Sequence, residues 1–595
     1  MTPARQWLSD LSAWLAARSL RGHLPTRFDR ENRRLVIQSV LVGIAVWGPV
    51  FVLKLAVPAV FGAVVGWLER VSIYWLVVPL LLGAAVVAWV VTRGRTATIA
   101  YYDRDGRLHE LVDVEGDGLE RAIALYYAAE PSFERTLLGK EGVEVRWELP
   151  TLSLAGRNFD APRATLGSGG RGGFEGSGAL IGESIAAAFF KPRPAVMGSA
   201  VREWLRKPLA WWSTSDTDHL QAAQLSGVAA AIATLTGAPF MSAFFAAEVM
   251  YRRRPLVDKL LYSLISTLVA YFLSTVAHVG HRTLFAVESL YLPPDDWRYY
   301  GLVLIMSLVV ALSSMAFVAL RRVVESQFHR RLRHPWARHL TGALLTGLVA
   351  LVVVALTAGR GLLSRGEALH LVLSTGGMTI DRALAGELTL TVALVALLGK
   401  MVTTATTIGS GGSGGVLIPS LYLGAMVAAA FGAVVPFPPM TLIVPAMTAS
   451  LVSIANVPLA AMLLPVELFS AHYLPPALMA VIVGTLLTQD TPIYRTQREG
   501  FDNRQIAPGV AVRRVMVPAR WDRRTLTDLD LRRRFNVTVI GVLELTGEDG
   551  RARVRLDPSA ALHLTVGDTV VVLGTEEDLD RLEAHIQQRL DVVKT

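Results

Sequence analysis

The chain reads as an all-α polytopic membrane protein with broken, re-entrant helices in two matching halves, followed by a small soluble α/β domain. Three observations predict this. The sequence is 52% hydrophobic with a mean hydropathy of +0.43 over 595 residues, far above a soluble globular chain. One seven-residue glycine pattern occurs twice, as Gly167-Ser168-Gly169-Gly170-Arg171-Gly172-Gly173 and again as Gly409-Ser410-Gly411-Gly412-Ser413-Gly414-Gly415. Beyond about residue 495 the apolar runs stop and strand-like alternation begins.

The apolar runs approach or exceed the roughly 20 residues needed to span a bilayer. They cover Leu35–Trp67, Tyr74–Val91, Leu260–Val279, Leu302–Leu320, Leu340–Leu356, Leu388–Val402, Leu417–Val435, Pro439–Leu464 and Leu474–Leu487. Several are too short or too interrupted to be simple spans, so hydropathy alone miscounts this fold. Residues 1–34 form a cytoplasmic N-terminal arm, in which Trp7, Leu8, Leu11, Trp14 and Leu15 follow helical spacing and suit a helix lying on the inner membrane face. This arm is too charged for a cleavable signal peptide. Residues 35–495 form the membrane domain, with a polar insertion at 96–160 that carries Asp103-Arg104-Asp105-Gly106 and Glu115-Gly116-Asp117-Gly118.

The tail, residues 496–595, is expected to hold strands at Val537–Leu545, Ala552–Leu556 and Thr569–Leu573. Turns fall at Glu548-Asp549-Gly550 and Val566-Gly567-Asp568, and a closing helix runs over Glu576–Leu590 with Leu579, Leu582 and Ile586 on one face. A unit of this size buries a modest core and often dimerises.

Charge and composition exclude several function classes. The net charge is +9, but the basic clusters Arg21–Arg34, Arg252–Arg254, Arg321–Arg338 and Arg495–Arg514 lie between apolar runs. There they orient a membrane protein, cytoplasmic side inward, rather than bind nucleic acid. The chain has no cysteine, which removes disulfides, thiol chemistry and cysteine metal sites; no metal ligand set or catalytic constellation stands out, and an enzyme is not expected. The glycine string is not a dinucleotide loop, because apolar residues follow it where that fold places a soluble helix and an acid, and no GK[ST] follows.

The glycine loops suggest a chemistry. A helix that begins inside a membrane leaves its first N–H groups unpaired, and those donors together with the helix dipole favour an anion. Glycines let the backbone approach that ion without an intervening side chain. Two such helix starts meeting in mid-membrane would make an anion site without any cationic side chain. Glu175 stands at the start of one of them, and an acid inside a membrane segment marks a functional site. Its carboxylate is itself an anion able to occupy the ion's place until protonated; the plainer reading is a helix cap.

Taken together these residues resemble the CLC family of chloride channels and chloride/proton exchangers over about Leu166 to Tyr494. Gly173-Phe174-Glu175-Gly176-Ser177 is similar to the family's G-[KR]-E-G-P motif, whose glutamate is the gate. Gly415-Val416-Leu417-Ile418-Pro419 is similar to its G-x-F-x-P motif, whose amides contact the anion. Gly227–Pro239, followed by Glu248, and Ser450–Glu467 resemble matching segments of the two halves. Tyr494 is placed like the pore tyrosine, or else is an interfacial belt residue. The sequence departs from the pattern at Phe174, Ser177 and Leu417, and the motif G-S-G-I-P is not recognisable; Ser132, in Ala128-Ala129-Glu130-Pro131-Ser132, is the candidate pore serine.

The resemblance implies an inverted-repeat CLC-type fold, a homodimer with one pore per protomer, and a multi-pass protein of the bacterial inner membrane with both termini cytoplasmic. Glu175 would be the gate, and Gly173, Phe174, Gly176, Val416, Leu417, Tyr494 and Ser132 would contact the anion, with chloride the default and fluoride and nitrate open. Exchangers of the family usually carry a second, internal glutamate where this chain has Val249 after Glu248. That pattern favours a passive channel over a chloride/proton antiporter. A transport-inactive ligand-sensing regulator is the alternative of another class; a potassium-channel role is disfavoured because no TVGYG filter occurs. The tail resembles the C-terminal subdomain of potassium-conductance regulators (RCK-C) at Thr525–Leu531, Phe535–Val542 and Leu564–Gly574, which implies a dimerising regulatory domain and raises cyclic di-AMP as its ligand.

Overall fold

The computed structural model describes residues 30–93, 98–102, 108–112, 114–127, 151–190, 217–250, 257–277, 284–285, 290–488, 493–494, 496–497, 504–507, 510–546, 551–566 and 568–587. The amphipathic segment around Trp7 and Trp14, the cluster Arg252–Arg254, Arg495, Ser132 and Gly567 lie outside these residues.

The membrane domain opens with α1 (Arg30–Arg70), a 3-10 turn over Ile73–Leu76, and α2 (Val77–Arg93). The region expected to be a polar insertion proves to be composite. It holds an antiparallel hairpin of β1 (Thr98–Tyr102) and β2 (Leu108–Val112), and then α3 (Gly118–Tyr127). Leu119, Ala122, Ile123, Leu125 and Tyr126 of α3 are buried in the main core. Then follow α4 (Leu152–Gly167), α5 (Glu175–Phe190), α6 (Thr217–Thr236), α7 (Pro239–Val249) and α8 (Val257–Val276).

The second half runs through α9 (Trp297–Arg331), α10 (Pro335–Thr357), α11 (Arg365–Val372), α12 (Gly377–Leu384), α13 (Leu390–Gly409), α14 (Leu417–Gly432), α15 (Pro439–Ala455), α16 (Pro458–Leu468) and α17 (Leu474–Thr488). Among the described residues, seven helices are long and apolar enough to cross a membrane: α1, α2, α8, α9, α10, α13 and α17. Four further apolar helices, α7, α14, α15 and α16, are shorter, at 11, 16, 17 and 11 residues. The single apolar run expected at Pro439–Leu464 is two helices, broken where Asn456 takes φ +56° and Pro458 begins the next helix.

The two halves are related by an approximate two-fold, visible as reciprocal contacts of the kind an isologous interface makes. The Ser413 N–H donates to Thr165 Oγ1 at 3.2 Å, and the Arg171 N–H to Thr407 Oγ1 at 3.1 Å. Residues 407 and 413 stand in the second glycine segment where 165 and 171 stand in the first. Gly169 and Gly411 take the same left-handed conformation, φ +110° and +105°, which is what requires glycine there. At the centre the loops pair backbone to backbone: Gly173 N–H donates to Gly415 O at 2.8 Å and Gly415 N–H to Gly173 O at 2.7 Å. A loop at membrane depth must satisfy its own polar groups, and this pairing does so.

A second reciprocal device joins α7 to α16. The Glu248 carboxylate accepts from the Leu459 and Ala460 amides at 3.0 and 2.8 Å, capping the start of α16. The Glu467 carboxylate accepts from the Phe240 and Met241 amides at 2.9 and 2.6 Å, capping the start of α7. Each helix opens with a proline and carries the glutamate that caps the other.

The tail forms a five-stranded antiparallel sheet from β3 (Arg504–Ala507), β4 (Val510–Met516), β5 (Thr538–Thr546), β6 (Arg551–Leu556) and β7 (Thr569–Thr575), ordered β3-β4-β7-β5-β6. Two short helices, α18 (Leu526–Leu529) and α19 (Leu531–Phe535), and a longer α20 (Glu576–Gln587) complete it. Strands β5, β6 and β7 and the closing helix lie where the alternation predicts. Strands β3 and β4 are not among the expected strands, although Pro508-Gly509 stands between them as a turn signal; Arg513-Arg514 interrupts the alternation of β4. Its core gathers Val515, Trp521, Val537, Val542, Val570, Val572, Leu579 and Leu582.

Two substitutions test this architecture. A Cβ on Gly176 would stand 2.7 Å from Gly414 O and 2.9 Å from Gly415 Cα, so Gly176→Ala is expected to abolish the monodisperse size-exclusion peak of the full-length protein. Glu467→Ala removes the carboxylate cap from the Phe240 and Met241 amides and should cost about 0.5–2 kcal/mol. That is read as a lower denaturation midpoint in detergent; an unchanged midpoint would show that the cap does not bear on stability.

Candidate functional site

Three helices begin at one place in the core. The start of α5 follows the first glycine loop, the start of α14 follows the second, and the start of α3 is fastened to the second loop by its backbone. Gly118 N–H donates to Gly414 O at 3.3 Å, Gly414 N–H to Gly116 O at 3.2 Å, and Gly116 N–H to Gly411 O at 3.2 Å. Three helix N-termini therefore meet at the paired loops with their dipole ends close together. That is an anion-binding arrangement built from backbone.

Glu175 is completely buried at this point. Its carboxylate folds back over Gly173 and approaches Gly415, whose missing side chains leave the room it occupies. It faces its own amide and that of Ile418 in the first turn of α14, yet neither oxygen closes a hydrogen bond of good geometry among the described residues.

A second carboxylate shares the site, and sequence reasoning missed it. Asp117 is 4% exposed, caps α3 by accepting the Leu119 amide at 3.0 Å, and faces the Val416 amide at the start of α14. Its Oδ2 has no hydrogen-bond partner among the described residues. Glu175 and Asp117 thus both address the opening turn of α14. The residues that meet the glycine loops from the α3 side are Gly116-Asp117-Gly118, not the Ser132 segment, whose position is outside the described residues. The signal that could have found them is local: a Gly-Asp-Gly triplet at the head of an apolar helix has the same form as the other two loops.

The remaining expected residues divide. Gly173, Glu175, Gly176, Val416 and Leu417 come together at the loop pairing. Tyr494 is 1% exposed and lies within electrostatic reach of Asp117, Arg321, Glu175 and Glu120. Its segment is tied down where the Ile493 N–H donates to Ile454 O at 2.9 Å and Thr496 Oγ1 to Glu120 O at 3.1 Å. The Phe174 side chain turns instead into an apolar cluster with Leu166, Ile185 and Ile418, so only its backbone belongs to the site. Val249 is fully buried in the main core, and both oxygens of its neighbour Glu248 are engaged in capping α16.

On the far side of Asp117, charged groups form a bridge toward the α9–α10 turn. Arg321 reaches Glu120 at 3.7 Å. Glu115 binds Arg338 and accepts from His339 at 3.0 Å. The basic α9–α10 segment, Arg321 to Arg338, carries these partners.

Comparison with known proteins agrees with this geometry. Residues 152–489 match the family described as voltage gated chloride channel, and residues 510–587 match the TrkA-C domain. The chain is 26% identical over 276 residues to a "Chloride/fluoride channel protein" of Pseudomonas syringae pv. tomato, covering 46% of this chain and 58% of that protein. It is 27% identical over 347 residues to the "H(+)/Cl(-) exchange transporter ClcA" of Vibrio parahaemolyticus, covering 55% of this chain and 67% of that protein. The matched region therefore spans little more than half of the first of these relatives. Among solved structures, a CLC-type fluoride/proton antiporter aligns with a TM-score of 0.57 at 17% identity over 80% of this chain and 99% of that one. A slow cyanobacterial Cl-/H+ antiporter aligns with a TM-score of 0.58 at 18% identity over 78% and 96%; at these identities the likeness shows the fold. The converging helix starts and the match over more than half of the sequence place the chain in the CLC family of membrane anion transporters, with a TrkA-C domain at its C-terminal end.

Proposed function

We propose that the chain is a passive anion channel, with chloride as the default ion, in which Glu175 is the gate. The observation that carries this reading is the Glu175 carboxylate itself, lodged between the two glycine loops against the first amides of α14. A carboxylate in that position fills the place an anion would use. Its removal, by protonation or by swinging out, opens the place to an ion held by the amides around Gly173–Gly176 and Val416–Leu417, with Tyr494 beyond. Support for passive conduction comes from Val249, an aliphatic side chain sealed in the core, and from Glu248, committed to a helix cap. Neither is available to carry protons.

One observation favours coupled chloride/proton exchange as a second reading. Asp117 adds a titratable carboxylate beside Glu175, with Glu120 one turn further along α3 toward the basic α9–α10 segment. Three acids in series give a proton somewhere to go that the usual internal glutamate does not supply here.

The protein is proposed to sit as a homodimer in a bacterial inner membrane with both termini cytoplasmic. The basic segment at Arg321–Arg338 supports the orientation. The exposed apolar faces of α8 (Leu261, Leu268, Phe272) and α17 (Leu474, Leu478, Ile482) suit protein or lipid contact. The TrkA-C domain is proposed to regulate conduction by binding a small ligand, with cyclic di-AMP to be tried first.

The reversal potential of the purified protein in bilayers under a chloride gradient, with and without an opposing pH gradient, separates the two readings. A potential at the chloride equilibrium value, indifferent to pH, supports the channel; a shift with the proton gradient supports exchange, and no chloride flux at all removes both. Glu175→Gln is expected to raise chloride flux and flatten its pH dependence. Gly173→Ala should also raise flux, because a Cβ there takes the place of the Glu175 carboxylate. Unchanged pH dependence in Glu175→Gln would remove Glu175 as the gate.

A further inference from the structure

Two cations are buried close to the glycine loops with almost nothing to neutralise them. Arg171, inside the first loop, is completely buried, and Lys400, midway along α13, is 2% exposed. Both lie against Tyr422 of α14: the Arg171 guanidinium carbon stands 5.2 Å and Lys400 Nζ 4.1 Å from the ring centre. Both also crowd the same point of the backbone, since a Cβ on Gly376 would meet Lys400 Nζ and stand 3.0 Å from Arg171 Nη1. Gly376 takes φ +80°, so glycine is required there twice over, by conformation and by space.

The donors of this pair are nearly all unused. Arg171 Nη1 donates to Ser374 O, but Arg171 Nε and Nη2 and Lys400 Nζ have no hydrogen-bond partner among the described residues. The nearest acid, Glu175, acts on Arg171 only through space, its carboxylate being lodged over Gly173. Lys400 also borders a small cavity with Thr404, Tyr422, Pro419, Phe317 and Met401. Thr404, one turn along α13, is fully buried and its hydroxyl is likewise without a partner. A cation–π contact offsets only part of the cost of taking an ammonium or guanidinium out of water. An anion beside the pair would supply the acceptor and the countercharge that no described residue gives to these donors.

We infer that Lys400 and Thr404, with Arg171 behind them against Tyr422 and Gly376, form a second anion site, holding one halide-sized monovalent anion in the cavity beside the start of α14. It is distinct from the meeting point of the helix starts, because neither Glu175, Asp117 nor Tyr494 lines the cavity. Its other walls are the apolar side chains of Phe317, Leu397, Met401, Pro419 and Leu423, and its small size suits a single compact ion. The side chains that line it come from α9, α13 and α14, and Arg171 of the first glycine loop adds its charge from its place against Tyr422 and Gly376.

Anomalous scattering from bromide tests this in crystals of the full-length wild-type protein grown with bromide as the sole halide. A peak in contact with Lys400 Nζ and Thr404 Oγ1 is expected, and Lys400→Met should lower its occupancy at least ten-fold. The meeting point of the helix starts is read separately in the same maps, and best in Glu175→Gln, so loss of the proposed pathway site and loss of this one are distinguishable. A wild-type map without a peak beside Lys400 overturns the inference whether or not the variant folds, as does a peak that Lys400→Met leaves undiminished.

Discussion

The pairing of Gly173 with Gly415 is the constraint on which the rest of this protein depends. Two backbone hydrogen bonds at 2.7 and 2.8 Å join loops that come from opposite halves, at a depth where water cannot replace them. Because the loops are locked there, α5 and α14 must both begin there, and their free N–H groups are committed to one small volume. The third loop, Gly116-Asp117-Gly118, is fastened to the second in the same way, by backbone to Gly411 and Gly414. The glycines are needed because the chains approach so closely: a Cβ on Gly118 would run into Gly176 O, and one on Gly415 into Gly176 N.

Helix starts without side chains make a site that must be filled, and here the protein fills it with its own carboxylates. Glu175 and Asp117 lie at the opening turn of α14, and each has an oxygen without a closed hydrogen bond. Two buried carboxyl groups at one helix terminus are more than its partial charge could offset if both were ionised. Positive groups are stationed around them: Arg321 within reach of Asp117 and Glu120, and Arg171 within reach of Glu175. The site thus sets two buried acids against nearby cations and helix dipoles.

Around this centre the fold is held by pairs of equivalent contacts. Thr165 and Thr407 each accept from the opposite glycine loop, and Glu248 and Glu467 each cap the helix that carries the other. Duplicated contacts of this kind keep two short helices such as α7 and α16 in register although neither is long enough to be held by lipid on its own. The cost is that Glu248 is occupied. An acid that stands where a proton carrier could be sought is engaged with two amides instead.

The sequence by itself determined the class of the protein and the position of its centre. Apolar runs marked the long helices, the repeated glycine segment marked the loops, and Glu175 stood out as an acid at the head of an apolar helix. In the tail, alternation marked β5, β6 and β7, because each is flanked by turn residues; β3 and β4 were missed although Pro508-Gly509 separates them, because Arg513-Arg514 interrupts the alternation in β4. Tertiary structure alone decided which distant residues share the centre. Asp117 lies 58 positions before Glu175 in a stretch rich in charge, and only the backbone bonds from Gly116 and Gly118 to the second loop bring it in. The break at Asn456 was hidden for the opposite reason, since both sides of it are equally apolar. Arg171 and Lys400 belong to different halves, and no periodicity links them. Their shared contact with Tyr422 arises because closing two symmetric loops on each other places side chains of one half against helices of the other.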